Sequence, residues 1–265
     1  MALVLLPMRL TSLIIVCLLG LLLTAEASAQ SPCPDRNGIP DFNCDGRVQV
    51  VVLGDSLVAG VGDSDNRGRG GYILRSAARL REIVLFGYGV PGQQTRQLLS
   101  SLEETLRPGV SSVKAAAIRN ADIVVLDLGR NDRWLFGLPA ATWRNLSRIR
   151  DLVRSRGAAQ SESGLPPLVV IASLMLPNRG SQGPWVRELN EIILRKHSRS
   201  APTDLRFDLV SKRLLASDQI HPTSAGYGAL TTVFTRYLTR TLPPRMRKLR
   251  PDADGDGVPD ILERP

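Results

Sequence analysis

The chain has 265 residues, enough for one sizeable α/β domain with short appendages, and its 43% hydrophobic content places it among globular rather than disordered chains. It carries a formal net charge of +9, with only four lysines (Lys114, Lys196, Lys212, Lys248) and arginine for the remainder. The arginines are spread among acids with no aromatic-basic stripe, so the charge reads as compositional bias and makes no case for nucleic acid as a partner.

Arg9 precedes an apolar run from Leu10 to Leu23, and Ala27-Ser28-Ala29 follows. That is the layout of a secretory signal cleaved before Gln30, and at about fourteen residues the run is short of the roughly 20 that a membrane span needs. Residues 1–29 are set aside as a signal peptide, so the mature protein is expected to be secreted or periplasmic, with no stable span. Cys17 leaves with the signal. Cys33 and Cys44 remain as an even pair in an oxidising compartment, where a disulfide is the default. Closing so short a loop contributes roughly 3 kcal/mol at most, stapling an N-terminal arm over 30–46.

From Val48 onward strands and helices alternate. Val48 to Gly54 is a continuous β-branched run, the mark of a strand buried on both faces. Helical spacing follows over Tyr72 to Glu82, a short strand over Ile83 to Phe86, and a helix over Gln93 to Leu106 that stops at Arg107-Pro108-Gly109. Ile123 to Gly129 reads as the third strand, with a helix over Ala140 to Arg154 after it. A Ser/Gly/Pro-rich loop, Gly157 to Pro167, leads to a fourth strand, Leu168 to Leu174. A helix over Pro184 to His197, a fifth strand over Leu205 to Val210 and a last helix from Thr223 to before Pro243 complete the pattern. The order predicts a parallel sheet covered on both faces, in one domain over 47–242.

In such a sheet functional groups gather outside the carboxyl ends of the strands. The first strand runs into Gly54-Asp55-Ser56, the second into Gly89-Val90-Pro91-Gly92 and the third into Gly129-Arg130-Asn131-Asp132; after the last comes Asp218-Gln219-Ile220-His221-Pro222. A serine, glycine amides, a side-chain amide and an Asp/His pair therefore converge on one edge, and together they are the parts of acyl transfer. Ser56 needs a base to become a nucleophile, and an imidazole such as His221 titrates near the working pH. Asp218, three residues before it, can orient the ring and stabilise the imidazolium. The Ser56 N–H, the Gly92 N–H and the Asn131 side chain can donate to the oxyanion. Each residue alone has a plainer reading, Ser56 as a helix cap, Asp218 as a turn residue and Asn131 as a loop amide; all of them together require coincidence. His197, the second of the two histidines, lies in a basic helix end where a solvated ring needs no further explanation.

These four blocks, in this order, resemble those of the SGNH (GDSL) hydrolases over roughly Val48 to Leu242. The resemblance implies a flavodoxin-like three-layer α/β/α sandwich with a five-stranded parallel sheet, a Ser56-His221-Asp218 triad and the three-donor oxyanion hole. Arg130 departs from the pattern, since the family more often has a small or polar residue beside the oxyanion Asn; this leaves substrate preference open. A Gly-x-Ser-x-Gly elbow is absent, against the ordinary α/β-hydrolase reading.

The tail carries a separate signal. Asp252, Asp254, Asp256, Gly257, Asp260 and Glu263 fall at positions 1, 3, 5, 6, 9 and 12 of an EF-hand-like calcium loop, with the Val258 carbonyl at position 7. Its Asp-Gly-Val-Pro-Asp core resembles thrombospondin type 3 calcium repeats. The N-terminal arm (Asp35, Asn37, Asp41, Asn43, Asp45) is a poorer version of the same pattern, and a disordered acidic tail is the competing reading. The expectation is a monomeric, exported serine ester hydrolase for a small-molecule, lipid or carbohydrate ester, with no catalytic cofactor and with structural calcium. An acyltransferase would use the same residues, and a non-catalytic calcium-dependent binding module is the rival from another class.

Overall fold

The computed structural model describes residues 33–36, 39–64, 70–135, 138–158, 166–180, 182–197 and 205–244. An antiparallel hairpin of β1 (Cys33–Arg36) and β2 (Ile39–Asp41) comes first. The main sheet is built from β3 (Val48–Gly54), β4 (Ile83–Gly89), β5 (Ile123–Asp127) and β6 (Leu168–Ile171), all parallel, in the order β4-β3-β5-β6. The connecting helices are α1 (Gly71–Ala77), α2 (Thr95–Thr105), α3 (Val113–Arg119), α4 (Pro139–Ala158), α5 (Gln182–His197) and α6 (Ser224–Arg236).

Strand alternation sorts the core into two layers. Val50, Val52, Ile123, Val125 and Val170 face one way, packing with Tyr72 and Ile73 of α1 and with Tyr227, Leu230 and Phe234 of α6. Val51, Leu53, Val124, Leu126 and Ile171 face the other way, against α2, α4 and α5 through Leu98, Leu102, Leu146, Ile149, Val186 and Leu189. Burial on both faces explains why the strands read as unbroken apolar runs. The three-layer α/β/α expectation holds.

The strand count does not: among the described residues four strands form the sheet, not five. Leu205 to Val210 makes a single parallel bridge, Arg206 to Ser173, and then winds into a 3-10 turn, Phe207–Leu209. Asp208 folds back onto Arg206 at 2.7 and 2.6 Å and accepts from Ser173 Oγ, and Phe207 and Val210 are both buried. Apolar anchors three residues apart, bracketing a locally paired acid, suit a turn of helix rather than a strand. Several boundaries also move: the helix read over Tyr72 to Glu82 ends at Ala77, and the strands read to Gly129 and Leu174 end at Asp127 and Ile171. β4 runs on to Gly89, and α3, capped by the Ser112 hydroxyl on the Ala115 N–H, was not anticipated because its seven residues carry too little periodicity.

The N-terminal arm is part of the core. Ile39 and Phe42 are buried with Val48, Leu238 and Leu242. One carboxylate secures it: Asp122, buried at the start of β5, accepts from the Phe42 N–H at 2.7 Å and the Gln49 N–H at 2.7 Å, with Asn43 N at 3.4 Å. Burial pushes Asp122 up to about 7, against the pull of these N–H groups and with Asp41 adding to the rise. A folded value above the ordinary 3.8 means that folding favours the protonated acid. Its contribution to stability is therefore complete below about pH 4 and is lost as pH rises through about 7. Asp122→Ala orphans two buried donors and is expected to lose about 3 kcal/mol in urea unfolding at pH 5. Between pH 4 and 7 its stability should change less than that of the unaltered protein.

Candidate active site

Chain direction and register place the site. Gly54 pairs with Gly89 on one side and with Asp127 on the other, so three loops leave the sheet at one level. The turn after β3 is tight: Asp55 Oδ1 accepts from Leu57 N at 3.1 Å, Asp55 O from Ala59 N and Ser56 O from Val61 N. Ser56 is left at the mouth of the turn, 6% exposed.

His221 meets it from 165 residues away, with Nε2 at 2.9 Å from Ser56 Oγ and Nδ1 at 2.6 Å from Asp218 Oδ2. The other carboxylate oxygen, Oδ1, accepts from the Ile220 and His221 N–H groups at 2.9 Å each, which bends the loop back on itself and holds Gln219 at φ 61°. Partial burial raises the Asp218 carboxyl, but the hydrogen bond with His221 and the two backbone donors outweigh it and hold the group below the usual carboxylate range. An ionised Asp218 can only accept, so Nδ1 carries the ring proton and Nε2 turns its lone pair toward the serine hydroxyl. On the far side of this loop, Thr223 caps α6 by accepting from Gly226 N.

The remaining expected residues lie around the same turn. Gly92 sits at φ +76°, in a backbone conformation that favours glycine, with open space where a Cβ would stand. Among the described residues neither the Ser56 nor the Gly92 N–H donates a hydrogen bond. Asn131 Nδ2 donates to Gln93 O at 3.1 Å and lies 3.5 Å from Asp55 Oδ2. Asp132 anchors the loop by accepting from the Thr95 N–H and hydroxyl and from the Thr142 hydroxyl. Two such N–H groups near the Ser56–His221 pair can receive a negatively charged oxygen.

Beneath the turn lies a cluster that sequence reasoning passed over. Arg130 is 2% exposed, so it sits under the site and does not face a substrate. Its Nη2 is 2.5 Å from Asp127 Oδ1 and its Nε 3.3 Å from Asp55 Oδ2, and Tyr72 donates its hydroxyl to Asp127 Oδ2 at 3.0 Å. Burial pushes Asp55 up to about 6, with Arg130 opposing and Asp127 adding to the rise; burial and Asp127 also push the Tyr72 phenol well up. A faint signal existed in the sequence, an aspartate (Asp127) inside an otherwise apolar buried strand, which calls for a cation nearby.

The calcium-loop residues Asp252, Asp254, Asp256, Val258, Asp260 and Glu263 lie outside the described residues, as do Asn37 and the side chains of Cys33 and Asp35. In the arm, Asp41 accepts from Gly46 N at 2.7 Å, Asn43 Oδ1 from Asp45 N at 3.0 Å and Asp45 Oδ1 from Arg47 N at 2.8 Å. Among the described residues no group of three or more His, Cys, Asp or Glu side chains forms a metal site, and no helix is long and apolar enough to cross a membrane.

Packing around the turn leaves no room for a methyl group. A Cβ on Gly89 would stand 2.2 Å from Ala59 N and 2.7 Å from Asp55 O, both backbone atoms. Gly89→Ala is expected to force the nucleophile turn away from β4, lowering stability by about 3 kcal/mol in chemical denaturation and lowering turnover of whatever protein remains folded.

Comparison with known proteins agrees with this geometry. The model of the GDSL-like lipase/acylhydrolase family matches residues 52–229, well over half of the chain. A lipolytic protein of the G-D-S-L family from Veillonella parvula DSM 2008 superposes with a TM-score of 0.57 at 17% identity, covering 73% of this chain and 99% of that one. The lipase Lip_vut3 from a goat rumen metagenome gives 0.55 at 20% identity, covering 73% and 98%. The protein YpmR of Bacillus subtilis (strain 168) is 28% identical over 128 residues, 47% of this chain; the match spans about half of that relative's length. The chain belongs to the GDSL-like lipase/acylhydrolase family.

Proposed function

We propose that this chain is an exported serine ester hydrolase that works through an acyl-enzyme, with Ser56 as nucleophile, His221 as general base and acid, and Asp218 as orienting carboxylate. The observation that carries the reading is the relay of contacts Asp218 Oδ2–His221 Nδ1 at 2.6 Å and His221 Nε2–Ser56 Oγ at 2.9 Å. His221 Nε2 takes the hydroxyl proton as Ser56 Oγ bonds to the ester carbonyl carbon. The carbonyl oxygen becomes an oxyanion that receives the Ser56 and Gly92 N–H groups and the Asn131 amide. His221 returns its proton to the departing alcohol as the C–O bond breaks. A water molecule, deprotonated by the same nitrogen, then releases the acid and restores Ser56.

Hydrolysis of p-nitrophenyl esters from acetate to palmitate tests this directly. Ser56→Ala is expected to lose activity on the order of 10⁴-fold or more, and Ser56 should be labelled by a fluorophosphonate in the unaltered protein. The chain-length profile separates an acetylesterase acting on carbohydrate from a lipase. No turnover and no labelling would overturn the assignment in favour of a binding module.

The reading extends to the chain ends. Calcium is held by Asp252, Asp254, Asp256, the Val258 carbonyl, Asp260 and Glu263, and the arm beside it is stapled by a Cys33–Cys44 disulfide. Two features support the first. The segment after α6 packs Leu238 and Leu242 into the same core as Ile39 and Phe42 of the arm. Asp41 Oδ1 is buried with no hydrogen-bond partner among the described residues, as a carboxylate near a cation would be. The hairpin pairing of Cys33 opposite Asp41, three residues before Cys44, supports the second. The metal is structural, since none of the acyl-transfer steps passes through it. Calorimetry on the full mature chain should detect calcium binding in the millimolar range or tighter, lost in Asp256→Ala; no heat of binding rejects the assignment.

A further inference from the structure

The strongest unexplained feature is the buried charge cluster beneath Ser56. Asp55 and Asp127 are fully buried, and Asp55 is the residue next to the proposed nucleophile. An oxyanion forming at the Ser56 and Gly92 amides would develop its charge beside Asp55, the neighbour of Ser56 in the chain, which Arg130 links to Asp127. Like charges at such range in a low-dielectric setting oppose each other by several kcal/mol unless a cation intervenes. Arg130 is that cation, touching Asp127 at 2.5 Å and Asp55 at 3.3 Å.

Its hydrogen bonding shows what it is held for. Nε and Nη1 are buried without an acceptor among the described residues, and the 3.3 Å approach to Asp55 is a charge contact without hydrogen-bond geometry. An arginine serving only to pin loops together would use its fork of donors. This one leaves two of its three nitrogens without a hydrogen-bond acceptor among the described residues, so what it contributes to the cluster is mainly positive charge.

We propose that Arg130 is a positioning residue for acyl transfer: its guanidinium cancels the negative field of Asp55 and Asp127 under the oxyanion pocket and keeps the nucleophile turn and Asn131 in place while charge develops above them. The inference rests on the serine acyl-transfer reading. The groups facing Asp55 are Arg130, Asp127 and His221; Arg130 also faces Tyr72 and Tyr227, and Asp63 lies beyond Tyr227. Of these, Arg130 is the cation placed between the two carboxylates. Without it, a rise in pH through the neutral range ionises Asp55 with no cation to offset it, beneath the site where an anion must form.

The test is the kcat–pH profile of Arg130→Gln and Arg130→Lys on a p-nitrophenyl ester, beside circular dichroism melts. Arg130→Gln should lose about 10- to 100-fold in kcat at pH 8 with KM within about twofold. A new limb should appear in which kcat falls as pH rises, where the unaltered enzyme shows none. Arg130→Lys, which keeps the charge, should stay within about tenfold and show no such limb. If Arg130→Gln does not fold, Arg130→Gln/Asp127→Asn removes one charge of each sign and should show the same limb. A folded glutamine variant with an unchanged profile, or a lysine variant as impaired as glutamine, overturns the proposal. Fluorophosphonate labelling of Ser56 keeps the two readings apart: a wild-type protein that is not labelled sinks the acyl-transfer assignment, whereas normal labelling beside a flat glutamine profile sinks only the role of Arg130.

Discussion

The structure depends on β3 having a parallel neighbour on each side, in register to its last residue. Because Gly54 pairs with both Gly89 and Asp127, three loops leave the sheet at one level, and their contents are brought within hydrogen-bonding reach of one another. The backbones come so close there that a Cβ on Gly54 would meet Val58 Cγ2 at 2.2 Å and Asp127 O at 2.5 Å. At Gly54 a side chain is excluded by sterics, so the tip of β3 is bare backbone and Ser56 projects from the turn that follows it. The helices serve this edge: α6 seats the His221 loop through its Thr223 cap, and Asp132 ties the β5 loop to the start of α2.

That edge tolerates charge only by arrangement. Two carboxylates at full burial are costly unless paired, and a single guanidinium reaching both is the economical answer in a small volume. Tyr72 completes it by donating to the Asp127 oxygen that Arg130 does not use. The same tyrosine packs edge-on against Phe207 and Phe234, so the charge cluster is fastened into the apolar layer beneath it. A change in that layer therefore reaches the nucleophile turn through a rigid aromatic rather than through a flexible chain.

The sequence pointed to a candidate site more readily than to every strand. Ser56, Gly92, Asn131, Asp218 and His221 stood out as candidates because acyl transfer restricts residue type and order, and the fold brings Ser56, His221 and Asp218 into contact. Leu205 to Val210 misled because an apolar run of strand length can also cover a turn whose apolar residues are spaced by three; Asp208 pairing with Arg206 was the deciding contact, and local pairing is invisible to periodicity. Asp122 escaped notice for a different reason. Its partners are backbone N–H groups about 80 residues away in the chain, and backbone donors leave no mark on composition. Arg130 was noticed only as an oddity, because nothing in the chain order says that a loop arginine turns inward to meet two strand-end aspartates.

Asp122 and Asp127 stand at opposite ends of β5 and show how one strand answers two demands. At the N-terminal end the carboxylate is surrounded by donors from Phe42, Asn43 and Gln49, and it locks the arm to the sheet. At the C-terminal end the Ser56 and Gly92 amides donate to no group among the described residues, and Arg130 Nε meets Asp55 by charge without a hydrogen bond. Gly92 lies on an exposed turn, so its amide, with that of Ser56, is open to an incoming acceptor. A passing negative charge on an ester oxygen would be such an acceptor. On that view the saturated end of the strand supplies stability, and the unsaturated end is where binding of a transition state, rather than folding, completes the hydrogen bonding.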